Sequence, residues 1–538
     1  MSITRRKLLA GSAAAAATAA VGSRLDTAAL ARWSERPRVA WAAGRSAAMP
    51  APSAELHLLN RASFGPTFEE FQRVKEIGRD AWIEEQLAPE RIDDSTTDSG
   101  LAQLTSLAWN EVEIKTNWGK KKNIRNELVA GAMYRMVGST KQLYEVMVDH
   151  FSCHFSIYHI EEFISAVKTI DDRVVVRANA LGQFRDMLHA SAQSLAMMRY
   201  LNTFQNTRSG PNENYGREVM ELHTLGVKGG YTEADVKQVA RCFTGWNRRD
   251  DNWAFDFRAA DHDTSQKTVL GKVIQSNGAA EGHEVLDILV DHPSCAKHVA
   301  RRIVRRMVAD EPVEALVDKM AAAWGSDGDI RAMLRVLLNS PEFSQANAAL
   351  GVATMVTPHY IGGPAKIKRP LEMWTSTLRV LGVDPAFMLD VPPDAYEGDA
   401  GDANYADRAE RYLQLMDQVP FRWFAPNGYP DQGSWWGGMH VMVSRWNYTL
   451  AVLENRLNGI TLDLYGRMSE DGVGNLAGEV VDYWIERVLM RPVLPEDRDA
   501  LIEFLNRGLG QRVAPELIAE RLPMLVCLML DSPYFQWR

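Results

Sequence analysis

Two glutamates within one helical segment are the first feature of this sequence that could perform chemistry. Glu218 and Glu221 fall on one face with Leu222 and Leu225, at helical three- and four-residue spacing. A carboxylate buried beside leucines is costly unless a cation faces it, so the pair predicts a bound metal or a basic partner. Arg217, four residues before Glu221, could supply an ordinary helical ion pair. We therefore hypothesise that Glu218 and Glu221 are catalytic, with a solvated or arginine-paired helix as the alternative.

Nearby histidines extend this hypothesis. His223 lies near the negative end of the same helix, which is expected to raise its pKa, and it joins the catalytic set. His262 and Asp263 are adjacent on a predicted loop, and loops often carry functional residues. With His150, they form a predicted ligand set for a divalent metal such as Zn, Mn or Fe. The alternative is that these polar groups join helices through buried hydrogen bonds.

His150 and His154 also have a spacing that can hold a metal. They lie four residues apart in a predicted helix, and Phe151, Ser152 and Cys153 stand between them. The glutamate that follows the first histidine in zinc metalloproteases is missing, so the pair does not indicate that class of enzyme. Two satisfied core histidines are the alternative interpretation.

A block rich in Pro, Gly and Trp covers residues 420–437. Trp423, Trp435 and Trp436 are predicted to bind a substrate, because aromatic rings can form a platform for sugar rings or another flat ligand. The alternative is that these bulky rings anchor a long loop to the body of the protein.

The elements that must position these residues are predominantly helical. Apolar residues recur at three- and four-residue steps from residue 54 onward, which predicts a mainly α, multi-helical fold. One small β ribbon is predicted near residues 253–274, with 253–257 and 267–274 as its strands. A Gly/Pro-rich stretch near 351–368 is a possible boundary between two lobes. The basic residues of 297–306 are predicted to form a solvated helix face.

Helix ends can be assigned around the glutamate pair. Gly226 predicts a left-handed C-cap, Thr232 with Asp235 predicts a capping box, and Gly245 is expected to end the second helix. The segment is thus predicted to be a helix, a turn and a helix.

Composition excludes several classes of protein. The chain has 538 residues and a formal net charge of -9, which argues against nucleic acid as a partner. Its four cysteines show no C-x-x-C spacing, which argues against a zinc ribbon, a c-type haem or a dense disulfide framework. It contains no P-loop, Rossmann glycine motif or nucleophile elbow.

The first residues predict export. Arg5 and Arg6 precede a short, mild apolar run, which is typical of a twin-arginine signal peptide, here predicted at 1–31. Residues 32–53 are predicted to be a linker and 54–538 the helical region. We therefore expect a periplasmic or secreted protein with no transmembrane anchor in the mature chain.

The central motif resembles that of a known family. The run 212–226, followed by 229–235 and 244–246, resembles the signature of the bacterial domain-of-unknown-function 1800 family, and Asp149 stands where the family has asparagine. This resemblance implies an exported, largely helical protein. Such proteins are often encoded beside a second exported family of alkaline-phosphatase-like fold, which is therefore a possible partner. The resemblance implies no established reaction.

Two classes of function fit these observations. The first is a metal-dependent enzyme that acts on an extracytoplasmic polymer or envelope component. The second is a non-catalytic exported protein that binds or assembles with a second secreted protein. The residues do not decide between an enzyme and a binding protein.

Overall fold

The computed structural model describes residues 49–346, 366–391, 407–508 and 510–538, and this part of the chain is mainly helical, as predicted. The α-helices before residue 347 are α1 (Ala54–Ala62), α2 (Phe68–Ile77), α3 (Arg79–Gln86), α4 (Ser95–Leu101), α5 (Glu111–Thr116), α6 (Lys121–Gly138), α7 (Gln142–His154), α8 (Glu162–Asp171), α9 (Phe184–Gln193), α10 (Leu195–Tyr200), α11 (Glu213–Glu218), α12 (Glu233–Cys242), α13 (Ala280–Val290), α14 (Pro293–Met307), α15 (Glu314–Ala322), α16 (Ile330–Leu338) and α17 (Pro341–Gln345).

The α-helices after residue 365 are α18 (Pro370–Leu381), α19 (Glu410–Leu415), α20 (Gly433–Trp436), α21 (Met439–Leu453), α22 (Leu464–Glu470), α23 (Ala477–Trp484), α24 (Pro495–Asn506), α25 (Pro515–Leu530) and α26 (Pro533–Gln536). Segments of π-helix span Asp172–Arg177, Val219–Thr224 and Ile485–Leu489. Short 3₁₀ segments span Pro89–Arg91, Thr105–Ala108, Trp118–Lys120, Thr203–Gln205, Ala259–Asp261 and Pro385–Leu389.

Two β ribbons are present where one was predicted. Strand β1 (Trp246–Arg248) pairs with β2 (Phe255–Phe257), and β3 (Lys267–Val269) pairs with β4 (Lys272–Ile274), both antiparallel. The predicted pairing of 253–257 with 267–274 is therefore wrong. Leu270 and Gly271 both have positive φ, 51° and 76°, which suits a tight two-residue turn, so β3 pairs with its immediate neighbour.

The predicted helix ends around the glutamate pair are confirmed. Gly226 and Gly245 have φ of 78° and 81°, in the left-handed region. Thr232 and Asp235 form a reciprocal capping box at the start of α12. Between α11 and Gly226, however, the helix widens into the π segment, which no feature of the periodicity predicted.

Buried apolar side chains from both parts of the chain form one contiguous core. This cluster includes Leu58 and Phe151 before residue 347, and Trp374 and Leu525 after residue 365. Helix α21 packs against α25 in the second part. The two parts therefore share their hydrophobic interior.

The Arg-rich helix α14 supplies part of a buried ion cluster, which we define as Asp149, Arg306, Arg369 and Glu372. Arg306 contacts Glu372 and lies 3.2 Å from the Asp149 carboxylate. Arg369 contacts Asp149 and lies 3.2 Å from Glu372. Arg306 is only 1% exposed, so the predicted solvated face is wrong for this residue.

Several predictions lie largely outside the described residues. These are the signal 1–31, most of the linker 32–53, and most of the possible lobe boundary 351–368. In the described ranges, no helix combines the length and the apolar character needed to cross a lipid bilayer.

Candidate functional site

The glutamate pair lies at the junction between α11 and the π segment. Leu225 donates its backbone N–H to the Met220 carbonyl, 2.8 Å away, which marks the wider π turn. Glu218 and Glu221 are both partly exposed. A π turn changes which side chains share a helix face, and such turns are frequent at functional sites.

The electrostatic surroundings of the pair differ from the predicted ion pair. Arg217 binds Glu213 at 3.1 Å and Glu233 at 2.7 Å instead of Glu221. Loss of solvation, and next the charge of Glu221, raise the pKa of Glu218. Glu218 therefore holds a proton more readily than an ordinary glutamate, as a general acid must.

Tyr200 connects this pair to the Trp-rich block. Its hydroxyl donates a hydrogen bond to the Phe424 carbonyl at 2.8 Å. Burial, and then the nearby charge of Glu218, raise the pKa of Tyr200 to about 12. The predicted catalytic carboxylates and the predicted substrate-binding loop are thus neighbours. Tyr200 was missed from the sequence, because nothing local distinguishes it from an ordinary tyrosine at a helix end.

The three predicted tryptophans have different environments. Trp436 is 4% exposed and donates its ring N–H to the Pro430 carbonyl at 2.9 Å, so it anchors the loop. Trp435 is 58% exposed and meets the partly buried Trp423 edge-to-face, with ring centroids 6.3 Å apart. Trp436 therefore fits the anchoring interpretation, whereas substrate binding by Trp423 and Trp435 stays a prediction.

Phe424 lies beside Trp423, with ring centroids 5.6 Å apart, and is 72% exposed. Met439, at the start of α21, is 84% exposed. Trp423, Phe424 and Trp435 together are called the aromatic patch below. Large apolar side chains grouped at a surface are typical of binding sites.

The loop that carries the patch is fixed to the helical body. Gly428 has φ of 75°, and a Cβ at this position would lie 2.0 Å from the Cys153 carbonyl oxygen. Arg302 approaches the Asn427 carbonyl at 3.3 Å. Phe421, at the start of the loop, adopts a left-handed φ of 62°, and such strain in a non-glycine residue often marks functional segments.

The predicted histidines separate into two groups, of which the first is buried in the core. The ring of His154 has its centroid 6.5 Å from that of His150 and 6.2 Å from that of His223. His154 Nε2 lies 2.8 Å from the His223 carbonyl. Burial lowers the pKa of His150 and of His223 to about 3. For His223 this is opposite to the predicted direction, because burial outweighs the helix end.

His298 joins this buried group and was missed from the sequence. Its ring lies 6.0 Å from His154, and its Nε2 is 2.9 Å from the Leu222 carbonyl. His298, Arg302 and Arg306 are four residues apart on α14. This spacing places them on one face beside the apolar stripe, which is the signal that could have identified them.

His262 and Asp263 form the second group, away from the glutamate pair. His262 Nε2 lies 2.9 Å from Glu281, which also binds Lys267. Burial by itself would raise the pKa of Glu281. Hydrogen bonds from Lys267 and His262 outweigh burial and hold this pKa below its ordinary value. The hydrogen bond from Arg241, at 2.7 Å, lowers the pKa of Asp263. These contacts fit the alternative interpretation, in which such groups join elements through buried polar bonds.

No preformed metal centre is found among the described residues, where no three or more His, Cys, Asp or Glu side chains are grouped to hold an ion. Beside Asp149, Cys153 and Trp423 the interior leaves a cavity of about 20 Å³. That volume is roughly enough for one water molecule.

Tyr200 thus links the glutamate pair of the signature helix with the aromatic loop. Residues 57–537 match the family described as protein of unknown function DUF1800, and the chain belongs to this family. No curated protein and no solved structure shows significant similarity to the chain.

Proposed function

We propose that this is an exported protein that binds an extracytoplasmic polysaccharide along the aromatic patch and acts on it by acid–base catalysis at Glu218. The observation that carries the proposal is the hydrogen bond from Tyr200 to the Phe424 carbonyl of the aromatic patch. Tyr200 also lies near Glu218, and the pKa of Glu218 is raised. Export is proposed from the Arg5-Arg6 signal.

The patch suits a sugar polymer because exposed aromatic rings stack on flat, weakly polar sugar faces. Trp435 and Phe424 expose their rings, while Trp436 holds the loop in place. A fixed platform loses little conformational freedom when it binds a ligand.

The carboxylates suit acid–base work because their environments differ. Glu218 is the group with the raised pKa, so it would donate a proton to the leaving oxygen. Glu221, which accepts a hydrogen bond from Tyr231 at 3.4 Å, would take a proton from the attacking water, whose oxygen replaces the leaving oxygen on the sugar. A divalent Zn, Mn or Fe ion at this carboxylate pair would be an alternative to acid catalysis, because a carboxylate that binds a metal is deprotonated and Glu218 would then have no proton to donate.

Binding and catalysis can be tested separately. Affinity electrophoresis with neutral and acidic polysaccharides measures binding, and release of reducing ends measures turnover. Trp435→Ala and Phe424→Ser should weaken binding about tenfold, since a hot-spot ring contributes more than 1 kcal/mol. Val273→Ser, at another exposed apolar position, is the matched control. Binding that is equally strong in the patch variants would contradict the proposal.

Glu218→Gln should keep polymer binding but lower turnover by about 10²- to 10⁴-fold, the usual contribution of a general acid.

Metal analysis of protein folded in its native cytoplasm tests whether a divalent ion is bound. If no stoichiometric metal is bound and Glu218→Ala is fully active, the proposed catalysis at Glu218 is wrong. His262→Ala should instead destabilise the fold, because Glu281 loses a buried partner.

A second candidate is a non-catalytic protein that assembles with an exported partner of alkaline-phosphatase-like fold. The 84% exposure of Met439 favours it, since methionine is enriched at protein interfaces. Co-expression and co-purification with such a partner, lost in Met439→Ser, would support assembly. Failure of the two proteins to co-purify would favour the polymer.

A further inference from the structure

Two histidines form a hydrogen-bonded pair between α9 and α13. The Nδ1 atoms of His189 and His283 lie 3.0 Å apart, and the two ring planes differ by only 9°. The ring centroids are 5.2 Å apart, so the rings lie nearly end to end. We call these two residues the histidine pair. They have no part in the proposed function.

The groups at the two ends of the histidine pair fix where its protons lie. His189 Nε2 is 3.0 Å from the Asp287 carboxylate, which can only accept a hydrogen bond, so Nε2 carries a proton. The Nδ1 of a neutral His189 is then an acceptor, and His283 donates to it from its own Nδ1. His283 Nε2 in turn accepts from the side-chain amide of Gln193 at 3.3 Å. Two neutral rings therefore satisfy every hydrogen bond from Gln193 to Asp287.

The histidine pair can take up one proton, but not two, without losing its contact. When His189 carries both N–H groups, it donates from Nδ1 to His283, whose own proton then lies on Nε2. The amide of Gln193 turns its oxygen toward that proton. A second added proton places an N–H on both of the facing Nδ1 atoms. Two donors then meet with no acceptor between them, and two positive rings are in contact.

The surroundings oppose this repulsion only in part. Among the described residues, the charges that act on His283 are those of His189 and Asp287. Burial, and then the charge of His189, lower the pKa of His283, while Asp287 acts in the opposite direction. Asp287 is shared with Arg185, and Trp246 of β1, whose ring lies 5.1 Å from His283, carries no charge. The side chain of His189 is 24% exposed, so protons from the solvent reach the pair.

Different contacts hold the two ends of α9. At its start, Arg185 lies 2.6 Å from Asp291 on α13 and 2.7 Å from Asp327 in the loop before α16. Arginine and aspartate keep their charges between pH 7 and pH 5, so this end does not respond to mild acid. The end of α9 reaches α13 through the histidine pair and Gln193. Separation of the pair therefore removes these polar contacts from the last turn of α9 alone.

We propose that the histidine pair is a pH-sensitive latch, which holds the end of α9 against α13 while it carries at most one added proton and opens when both rings are charged. Histidines in the unfolded chain take up protons near pH 6.5, whereas His283 in the folded chain resists its proton. The latch is therefore closed above about pH 6.5 and becomes weaker as the pH falls below this value.

Hydrogen–deuterium exchange of the full chain at pH 7 and at pH 5, read by mass spectrometry, tests the proposal. After correction for the intrinsic pH dependence of exchange, amides at the end of α9 should exchange about tenfold faster at pH 5, the change that one pKa unit produces. Amides of α25, which lies in the core, are the internal reference and should keep their protection. Unchanged exchange in α9, or an equal loss of protection in α25, would overturn the latch.

Two variants separate the latch from the other histidines. Asparagine cannot become charged, and its side-chain amide can take the place of the ring Nδ1. His283→Asn and His189→Asn should therefore each abolish the faster exchange of α9 at pH 5. His440→Asn, at an exposed position on α21, is the matched control and should keep it. An acid response that persists in both pair variants, or that disappears in His440→Asn, would overturn the proposal.

Nuclear magnetic resonance of the histidine side chains in the unmodified protein provides a measurement that needs no variant. The histidine pair should bind its second proton at least about one pH unit below its first, because the two charges repel each other. Two rings that titrate together near pH 6.5 would overturn the latch.

Discussion

The ion cluster and the pair of Lys121 with Glu162 use the same kinds of side chain at different depths. In the ion cluster, Arg306 and Arg369 face two carboxylates, and all four side chains are less than 10% exposed. Lys121 and Glu162 lie 2.7 Å apart at the surface where α6 and α8 begin, and their side chains are 25% and 66% exposed. The first arrangement is enclosed by the protein, and the second is open to water.

This difference distinguishes charges on which the fold depends from charges that water can solvate. Charges taken out of water must find partners within the protein, so removing one partner leaves the other uncompensated. Charges at the surface stay solvated, so the loss of a partner there costs little free energy. Burial, more than residue type, thus indicates which arginines stabilise the fold.

The largest expected effect is at the centre of the ion cluster. Glu372→Gln should lower the free energy of unfolding by about 3–5 kcal/mol, because Arg306, Arg369 and Arg538 all lie beside this carboxylate. Denaturant titration measures the change. Glu162→Gln, which breaks the surface pair with Lys121, is the control and should cost less than about 1 kcal/mol. Similar losses at both sites would remove the distinction.

A smaller effect should depend on pH. Burial lowers the pKa of His150 from 6.5 to about 3. The nearby charges of Arg306 and Asp149, both in the ion cluster, also influence this pKa. Below about pH 6.5, His150 therefore binds a proton in the unfolded chain but stays neutral in the folded chain. The free energy of unfolding is thus largest above about pH 6.5 and decreases as the pH falls toward 3. At pH 5 the loss is about 2 kcal/mol.

Denaturant titrations of His150→Asn at pH 7 and at pH 5 test this sign. The decrease in stability between the two pH values should be about 2 kcal/mol smaller than in the unmodified protein. His440→Asn, at an exposed position, should leave the decrease unchanged. An identical decrease in His150→Asn would show that His150 does not remain neutral in the fold.

The smallest expected effect is at the surface pair of Lys121 with Glu162. Lys121→Gln removes the partly exposed ion pair with Glu162, worth about 0.2–1 kcal/mol. It also removes a cation from a helix N-terminus, which returns about 0.3–1 kcal/mol. The free energy of unfolding should therefore change by less than about 0.5 kcal/mol. A loss above 2 kcal/mol in thermal or chemical unfolding would place Lys121 with the structural charges.

Local rules determined much of the secondary structure. Helical periodicity predicted the mainly α fold, and single residues set the helix ends at Gly226, Thr232 and Asp235. These features depend on φ preferences and on hydrogen bonds within a few residues, so the sequence alone contains them. The family membership likewise followed from the motif between 212 and 246.

The candidate site was predictable only in part. Glu218 and Trp435 are partly or well exposed, as a functional role requires, but His150 and His223 lie in a packed, neutral core. His262 is tied to Glu281 on another helix. A spacing pattern shows which residues share a helix face. It does not show whether that face meets water or another helix.

Tertiary structure decided the remaining features, because they depend on contacts between residues far apart in the chain. Arg306 meets Glu372 across 66 positions, Tyr200 meets Phe424 across 224, and His159 meets Phe421 across 262. Each contact depends on how helices pack around the shared core, and packing sets burial, solvation and pKa. Sequence thus determined the helices and the residues available for chemistry, and the fold determined which of them are neutral, paired or open to a ligand.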